Sequence, residues 1–252
     1  MEEEKLENND KKDTKKKSRN PAIRRVEEDA GTLLYTEAAT TERTAMKSLI
    51  LLLLVFASAG ISFMNSIETR SLITIIIMAF LTGLYLCFHP EMSSILAPVY
   101  ALLEGVSLGQ ISALSDKAHP GIVFQALIIT FGIAAMVIFV HSQELFKINP
   151  LFTRTVFLVT GGLAFLYLVD LVLIIGFGMT VPLIHESGWK GILFSIFAIV
   201  VATSNLSIDF VEIRSLTKKG LPEYYEWYFA YGFMLSLIWM YMEVLRLERK
   251  LK

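Results

Sequence analysis

Five acidic residues lie inside long apolar stretches of this 252-residue sequence, where a charged side chain is costly unless it faces protein or water. Glu104 and Asp170 fall well inside their stretches, Asp209 comes late in the sixth one, and Glu226 and Glu243 lie toward the two ends of the last. Carboxylate oxygens bind hard cations, and acids at membrane depth commonly mark ion or proton pathways. These residues therefore point to a membrane protein that passes or senses cations.

The sixth apolar stretch carries a small, polar stripe that ends at Asp209. Alternating steps of four and three place its members on one face of a helix: Gly191, Ser195, Ala198, Ala202, Asn205 and Asp209. Packing alone requires the small residues but not the two polar ones at the end, so we interpret this face as functional. Asp209 and Glu226 are about equally far from a loop centred near Thr217. This spacing predicts that they lie at one depth and titrate as a coupled pair.

The last stretch repeats this theme, with Gly232, Ser236, Glu243 and Arg246 on one face. Glu243 and Arg246 are three positions apart, so an ion pair between them is one interpretation. Both lie near the predicted end of the helix, where long side chains can reach water.

Glu104 borders a row of small residues at every fourth position of the third stretch: Ala97, Ala101, Gly105, Gly109 and Ala113. Such a row lets another helix approach closely, so we expect Glu104 to face protein rather than lipid. Two interpretations stay open: a protonated acid that donates one hydrogen bond to a neighbouring helix, and an element of a cation path. Asp170 has only Tyr167 near it on its face, and we interpret it as structural.

Seven apolar stretches must position these acids, in a chain that is 54% hydrophobic. Each is close to the roughly 20 residues that a helix needs to cross a bilayer. Backbone groups in lipid must be paired within their own segment, so the stretches are predicted to be helices. The predicted fold class is all-α, an integral membrane bundle of about seven transmembrane helices, at 48–65, 71–88, 95–114, 122–141, 156–178, 191–211 and 224–247.

A charged tail over residues 1–46 precedes the predicted transmembrane domain, 47–252. Through Lys47 the chain holds 11 basic and 11 acidic side chains and almost no aromatic ones, which predicts a disordered cytoplasmic tail. Basic residues near the membrane number seven on each side, or seven against three once the C-terminal tail is left out, which favours a cytoplasmic N-terminus. No nucleic-acid partner is expected, because acids dilute the basic run and no aromatics interleave with it.

Enzyme motifs are missing from the sequence. Gly176-Phe177-Gly178 is followed by Met179, where a membrane aspartyl protease carries an aspartate. The four histidines stand singly and Cys87 is the sole cysteine, so neither a zinc site nor an internal disulfide is expected. We therefore expect no catalytic residues and no cofactor.

Three segments, APVYALLEGVSLGQIS, SNLSIDFVEI and EWYFAYGFMLSLIWMYMEVLRL, resemble the Bax inhibitor (YccA-like) family of membrane proteins, over roughly residues 19–250. SRNPAIRR, just before the membrane, is similar to the start of a bacterial branch, which points to a bacterial plasma membrane, with an organelle membrane as the alternative. The resemblance implies about seven helices and no catalysis. It also implies either a pH-sensitive calcium leak or restraint of membrane proteases and cell-death proteins by binding.

In the calcium-leak members, an aspartate late in the sixth helix meets a second one in the seventh. Asp209 matches the first position, whereas the family spacing places Met234 near the second, with Glu226 and Glu243 about two turns away on either side. The resemblance thus implies a shifted or absent pair here.

We expect a calcium or cation leak gated by intramembrane carboxylates, with Asp209 as the main sensor, Glu226 or Glu243 as its partner and Glu104 as a second polar element. The expected supporting seam comprises Asn205, Ser195, Ser236 and Arg246. The alternative is a non-conducting regulator that binds a membrane protease or another membrane protein, with the Ala97 to Ala113 row as its docking surface. Membrane lipid surrounds the protein in both cases.

Overall fold

The computed structural model describes residues 38–143, 145 and 148–252, and these residues contain seven long helices. All seven are long and apolar enough to cross a membrane, so the predicted all-α bundle is confirmed. A 3-10 turn, Pro90–Met92, precedes the third helix, and a one-turn helix, Pro182–His185, precedes the sixth. The seven are α1 (Thr41–Met64), α2 (Thr69–Phe88), α3 (Ser93–Ala118), α4 (Ile122–Ser142), α5 (Pro150–Phe177), α6 (Trp189–Lys219) and α7 (Tyr224–Leu251).

The first helix begins earlier than its apolar stretch. Thr40 caps it, because the threonine hydroxyl accepts a hydrogen bond from the backbone N–H of Arg43 at 3.3 Å. Residues 41–46, predicted as tail, are therefore the first turns of α1. Just before them, the Ala39 N–H donates to the Leu221 carbonyl at 2.8 Å, which ties this segment to the turn between α6 and α7. Residues 1–37 of the predicted tail lie outside the described residues.

Local signals set the ends of α5 and α6. Asn149 accepts a hydrogen bond from the Phe152 N–H at 2.7 Å, and Pro150 occupies the first position of α5. Gly178 ends α5 with φ of 64°, and Gly220 ends α6 with φ of 60°, the left-handed conformation that favours glycine. The α6–α7 turn thus comes after Gly220 rather than near Thr217, because α6 continues to Lys219.

Successive helices run in opposite directions, so the bundle has two ends. The proximal end holds the start of α1 and the α6–α7 turn, and there the Ser93 hydroxyl donates to the Tyr224 carbonyl at 2.8 Å. The distal end holds the last turn of α7 and the first turn of α6, where the Lys250 ammonium donates to the Gly191 carbonyl at 2.8 Å. These contacts close the two ends of the bundle.

The last helix is the centre of the bundle. It packs against α1, α3, α4 and α6, and 56% of the residues in its apolar window are buried, against 11% for α5. The outer helices expose large apolar side chains, such as Phe80 of α2 and Phe157 of α5, as lipid-facing helices do. Side chains on α7 are therefore positioned by several neighbours at once.

The small-residue row of α3 packs on α1 within the chain. Ala97 and Ala101 are fully buried, and a Cβ built on Gly105 would lie 2.5 Å from the Val55 carbonyl oxygen. A Cβ on Gly109 would likewise collide with the Ala59 carbonyl. The prediction that this row is an intermolecular docking surface is therefore wrong, because α1 covers it.

We expect Gly105→Ala to destabilise the bundle by about 1–3 kcal/mol, because the added methyl group must push back the α1 backbone at Val55. Thermal unfolding in detergent micelles measures the change. Gly132→Ala is the matched control, since a Cβ at Gly132 would have nothing within 4 Å. Equal melting temperatures for the two variants would contradict close packing of α1 on α3.

Candidate functional site

The predicted acids lie at three levels along α7. Glu226 lies at the proximal end, Asp209 and Glu104 lie midway, and Glu243 lies toward the distal end. The structure does not bring the four carboxyls together at one place. The carboxyls at the two ends contact lysine or arginine, whereas those in the middle contact hydroxyl groups.

At the proximal level, Glu226 is 0% exposed and is neutralised by α1. Its carboxylate accepts hydrogen bonds from the Lys47 ammonium at 2.7 Å and the Arg43 guanidinium at 2.9 Å. The backbone N–H of Thr40 donates to it as well, at 2.7 Å. Two cations and a backbone donor satisfy this buried charge, so Glu226 joins the start of α1 to the start of α7.

Glu226 does not pair with Asp209. Asp209 lies 10 positions before the end of α6 at Lys219, whereas Glu226 lies only 2 positions after the start of α7 at Tyr224, so their depths differ by about 12 Å at the rise of an α-helix. The prediction of a coupled pair rested on a turn centred near Thr217. Because α6 continues to Lys219, Asp209 moves deeper into the bundle than Glu226.

At the middle level, Asp209 of α6 meets Ser236 of α7. The Ser236 hydroxyl donates to one carboxylate oxygen of Asp209 at 2.5 Å. The other carboxylate oxygen packs beside Gly232, where a built Cβ would lie at ordinary contact distance, 3.9 Å away. Within the described part of the chain, Asp209 forms no ion pair with lysine or arginine. Gly232 and Ser236, which the sequence placed on one face of the last helix, thus both lie beside Asp209.

Glu104 approaches a different face of α7. It is half-buried, and its neighbours are the phenols of Tyr100, one turn earlier on α3, and Tyr231 on α7. The rings of Tyr100 and Tyr231 meet edge to face at a centroid distance of 5.0 Å. Glu104 thus faces protein, as the adjoining small-residue row predicted. It has hydroxyl groups around it rather than a cation.

At the distal level, Glu243 is 1% exposed and lies two turns inside the end of α7. It pairs with Arg246 at 2.8 Å, which confirms the predicted contact three positions apart. The Tyr167 hydroxyl of α5 donates to it at 2.7 Å and the Trp239 indole N–H at 3.1 Å. The expectation that Glu243 reaches water is wrong, because α7 continues to Leu251 and α5 covers the carboxylate.

The polar residues of the α6 stripe separate toward different neighbours. The Asn205 amide donates to the Thr160 hydroxyl of α5 at 2.7 Å, whereas Ser195 accepts from the Lys250 ammonium of α7 at 2.9 Å. Only Asp209 reaches the middle of α7. The predicted seam is therefore a set of separate helix contacts rather than one continuous polar path.

Two polar contacts at the distal end escaped the sequence analysis. Lys250 is buried, and its ammonium binds the Gly191 carbonyl and Ser195. Its spacing of seven from Glu243 puts it on the same face of α7, a signal that could have revealed it. The His185 imidazole lies 2.7 Å from the Asp170 carboxylate, which also accepts from the Val181 N–H at 2.8 Å. No local spacing predicts this pair, because the two residues belong to different elements.

We expect Arg246→Met to lower the free energy of unfolding by about 3–5 kcal/mol, because Glu243 would stay buried without its cation. Thermal unfolding in detergent micelles measures the loss. Arg249→Met removes an exposed cation three positions later and is the matched control. The double variant Glu243→Gln, Arg246→Met is expected to recover much of the stability. Equal melting temperatures for Arg246→Met and Arg249→Met would contradict the role of Arg246 as the cation that neutralises Glu243.

The comparisons with known proteins agree with this architecture. The profile of the family described as Bax inhibitor 1 like matches residues 3–252, nearly the whole chain. Neither the curated proteins nor the solved structures gave a match. Seven helices of membrane-spanning length, with buried acids along the last one, accompany that match. The chain therefore belongs to the Bax inhibitor 1-like family and is an integral membrane protein.

Proposed function

We propose that the protein is a pH-sensitive cation leak pathway, with calcium as the permeant ion and Asp209 as its main sensor. The proposal adopts Ser236, rather than Glu226 or Glu243, as the partner of Asp209. Glu104 remains the second polar element at that depth. The proposed location is a bacterial plasma membrane with the proximal end in the cytoplasm, from the N-terminal likeness and the basic residues of the loops.

The observation that carries the proposal is the difference between the acids at the ends and those in the middle. Glu226 and Glu243 have arginine or lysine partners, whereas Asp209 has one hydroxyl donor and no ion pair within the described part of the chain. A carboxylate in that position needs a proton or a cation to offset its desolvation. Asp209 can therefore exchange a proton for a cation. Glu226 and Glu243 cannot do so without breaking an ion pair.

The site suits a passing ion better than a bound one. Calcium in a stable site takes six to eight oxygen ligands, and Asp209 with Ser236 offers only a few. Conduction requires a site that is weak enough for the ion to leave. The charged form of Asp209 would attract the cation, and the protonated form would not. Leak is therefore expected to fall as the pH is lowered.

We expect Asp209→Asn to reduce calcium flux at neutral pH by about tenfold, which corresponds to about 1.4 kcal/mol of lost ion stabilisation. The amide cannot ionise, so the flux of the variant is also expected to stop depending on pH. Purified protein in liposomes with an entrapped calcium dye measures both effects between about pH 7.5 and pH 5.5, a range in which membrane-buried carboxyls can change protonation state.

Two controls separate the charge of Asp209 from general effects. Glu91→Gln removes an exposed carboxylate in the turn before α3 and is expected to leave flux and its pH response unchanged. Ser236→Ala keeps the Asp209 carboxylate but removes its hydrogen-bond donor. We therefore expect calcium flux to persist, while the pH at which the flux is half-maximal shifts. An unchanged pH response in Asp209→Asn would refute the proposal. Wild-type liposomes that do not leak at all would favour the alternative, a non-conducting regulator that binds a membrane protease or another membrane protein.

A further inference from the structure

An apolar groove of about 250 Å³ lies in the distal half of the bundle, away from Asp209. Its floor consists of buried residues of α3 and α7, such as Leu108 and Leu237, and its rims consist of residues of α1 and α4. The rims carry the exposed rings of Phe56, Phe63 and Phe131. We propose that this groove binds one acyl chain of a phospholipid from the distal leaflet.

The position of the groove favours an acyl chain. Along α1 it extends from Leu52 to Phe63, which is about 16 Å at 1.5 Å per residue and close to half of a 30 Å hydrocarbon core. Its rims continue into the exposed apolar surface of α1 and α4, which faces lipid in a membrane-spanning bundle. The medium that borders the groove therefore consists of lipid chains.

The chemistry of the lining disfavours a charged lipid headgroup and suits a hydrocarbon chain. Among the described residues that line the groove there is no charged side chain. Its phenol and serine hydroxyls, Tyr241 and Ser112, bond to each other at 2.7 Å, and the Thr130 hydroxyl oxygen is buried without a hydrogen-bond partner. These three hydroxyls are the only polar side-chain groups among the described residues of the lining, so a ligand in the groove finds few polar partners. A hydrocarbon chain requires none, and it fills space that would otherwise leave the surrounding side chains without packing contacts.

Gly60 provides a way to test the occupant. It lines the groove, and a Cβ built there has nothing within 4 Å, so a larger side chain can enter the groove without displacing backbone. Gly161 of α5 is equally unobstructed but lies outside the groove. Gly60→Phe and Gly161→Phe therefore add the same ring to two lipid-facing helices, and only the first competes with a bound chain.

The experiment uses the full chain in phosphatidylcholine liposomes that contain a phosphatidylcholine with a photoreactive diazirine in its acyl chain. After irradiation, mass spectrometry locates the adducts. We expect them to concentrate on residues 52–63 and 123–131 of the wild-type chain, and to fall to the background level of α5 in Gly60→Phe but not in Gly161→Phe. Gly60→Leu is the smaller substitution if the phenylalanine variant does not fold.

Two results would overturn the proposal. One is a wild-type adduct pattern in which α2 and α5 are labelled as strongly as the groove, which would indicate ordinary contact with bulk lipid. The other is groove labelling by a diazirine fatty acid but not by the phospholipid, which would make the occupant a free acid. Neither result bears on calcium flux, so the leak proposal is tested separately.

Discussion

A carboxylate enclosed by apolar helices needs a cation, hydrogen-bond donors or a proton, and this requirement organises the contacts of α7. Glu226 meets it with two cations from α1, and Glu243 with Arg246 and donors from α5 and α7. Each of these solutions also fastens one helix to another. Asp209 is stabilised less, because its one hydrogen-bond donor is the Ser236 hydroxyl. The charge of Asp209, in the middle of the bundle, can therefore change without breaking an ion pair that joins two helices.

The close packing of α1 on α3 supports this arrangement. Gly105 and Gly109 have no side chains, which lets the α1 backbone lie against α3 near Val55 and Ala59. The same helix carries Arg43 and Lys47 to the proximal end of α7, where they meet Glu226. Both the close helix packing inside the membrane and the neutralisation of Glu226 at the proximal end thus depend on α1. A displacement of α1 would weaken both.

The outer helices depend more on polar contacts, because lipid tails are as apolar as leucine and give little drive for helix association. Only 11% of the apolar window of α5 is buried. Three of its polar residues nevertheless reach the interior or the distal loop: Thr160 meets Asn205, Tyr167 meets Glu243, and Asp170 meets His185. These hydrogen bonds hold α5 in place where dispersion contacts are few.

The sequence by itself determined the seven helices, because a spanning segment must be long, apolar and internally hydrogen-bonded. Pro90, Pro120, Pro150 and Pro222 all lie between the long helices or at the first position of one, where the missing N–H of proline is tolerated. It also predicted the Glu243–Arg246 pair and the shared face of Gly232 and Ser236, because helical spacing fixes contacts within one turn or two. Family membership followed from the same segments.

Only the tertiary structure decided which acid meets which partner. Asp209 reaches Ser236, Glu226 reaches α1, and Asp170 reaches His185, and each contact joins residues 15 or more positions apart. The depth of an acid depends on where a turn falls, and the three-residue difference between Thr217 and Gly220 was enough to separate Asp209 from Glu226. Periodicity gives the face of a helix, but its rotation and vertical position come from packing against several neighbours at once.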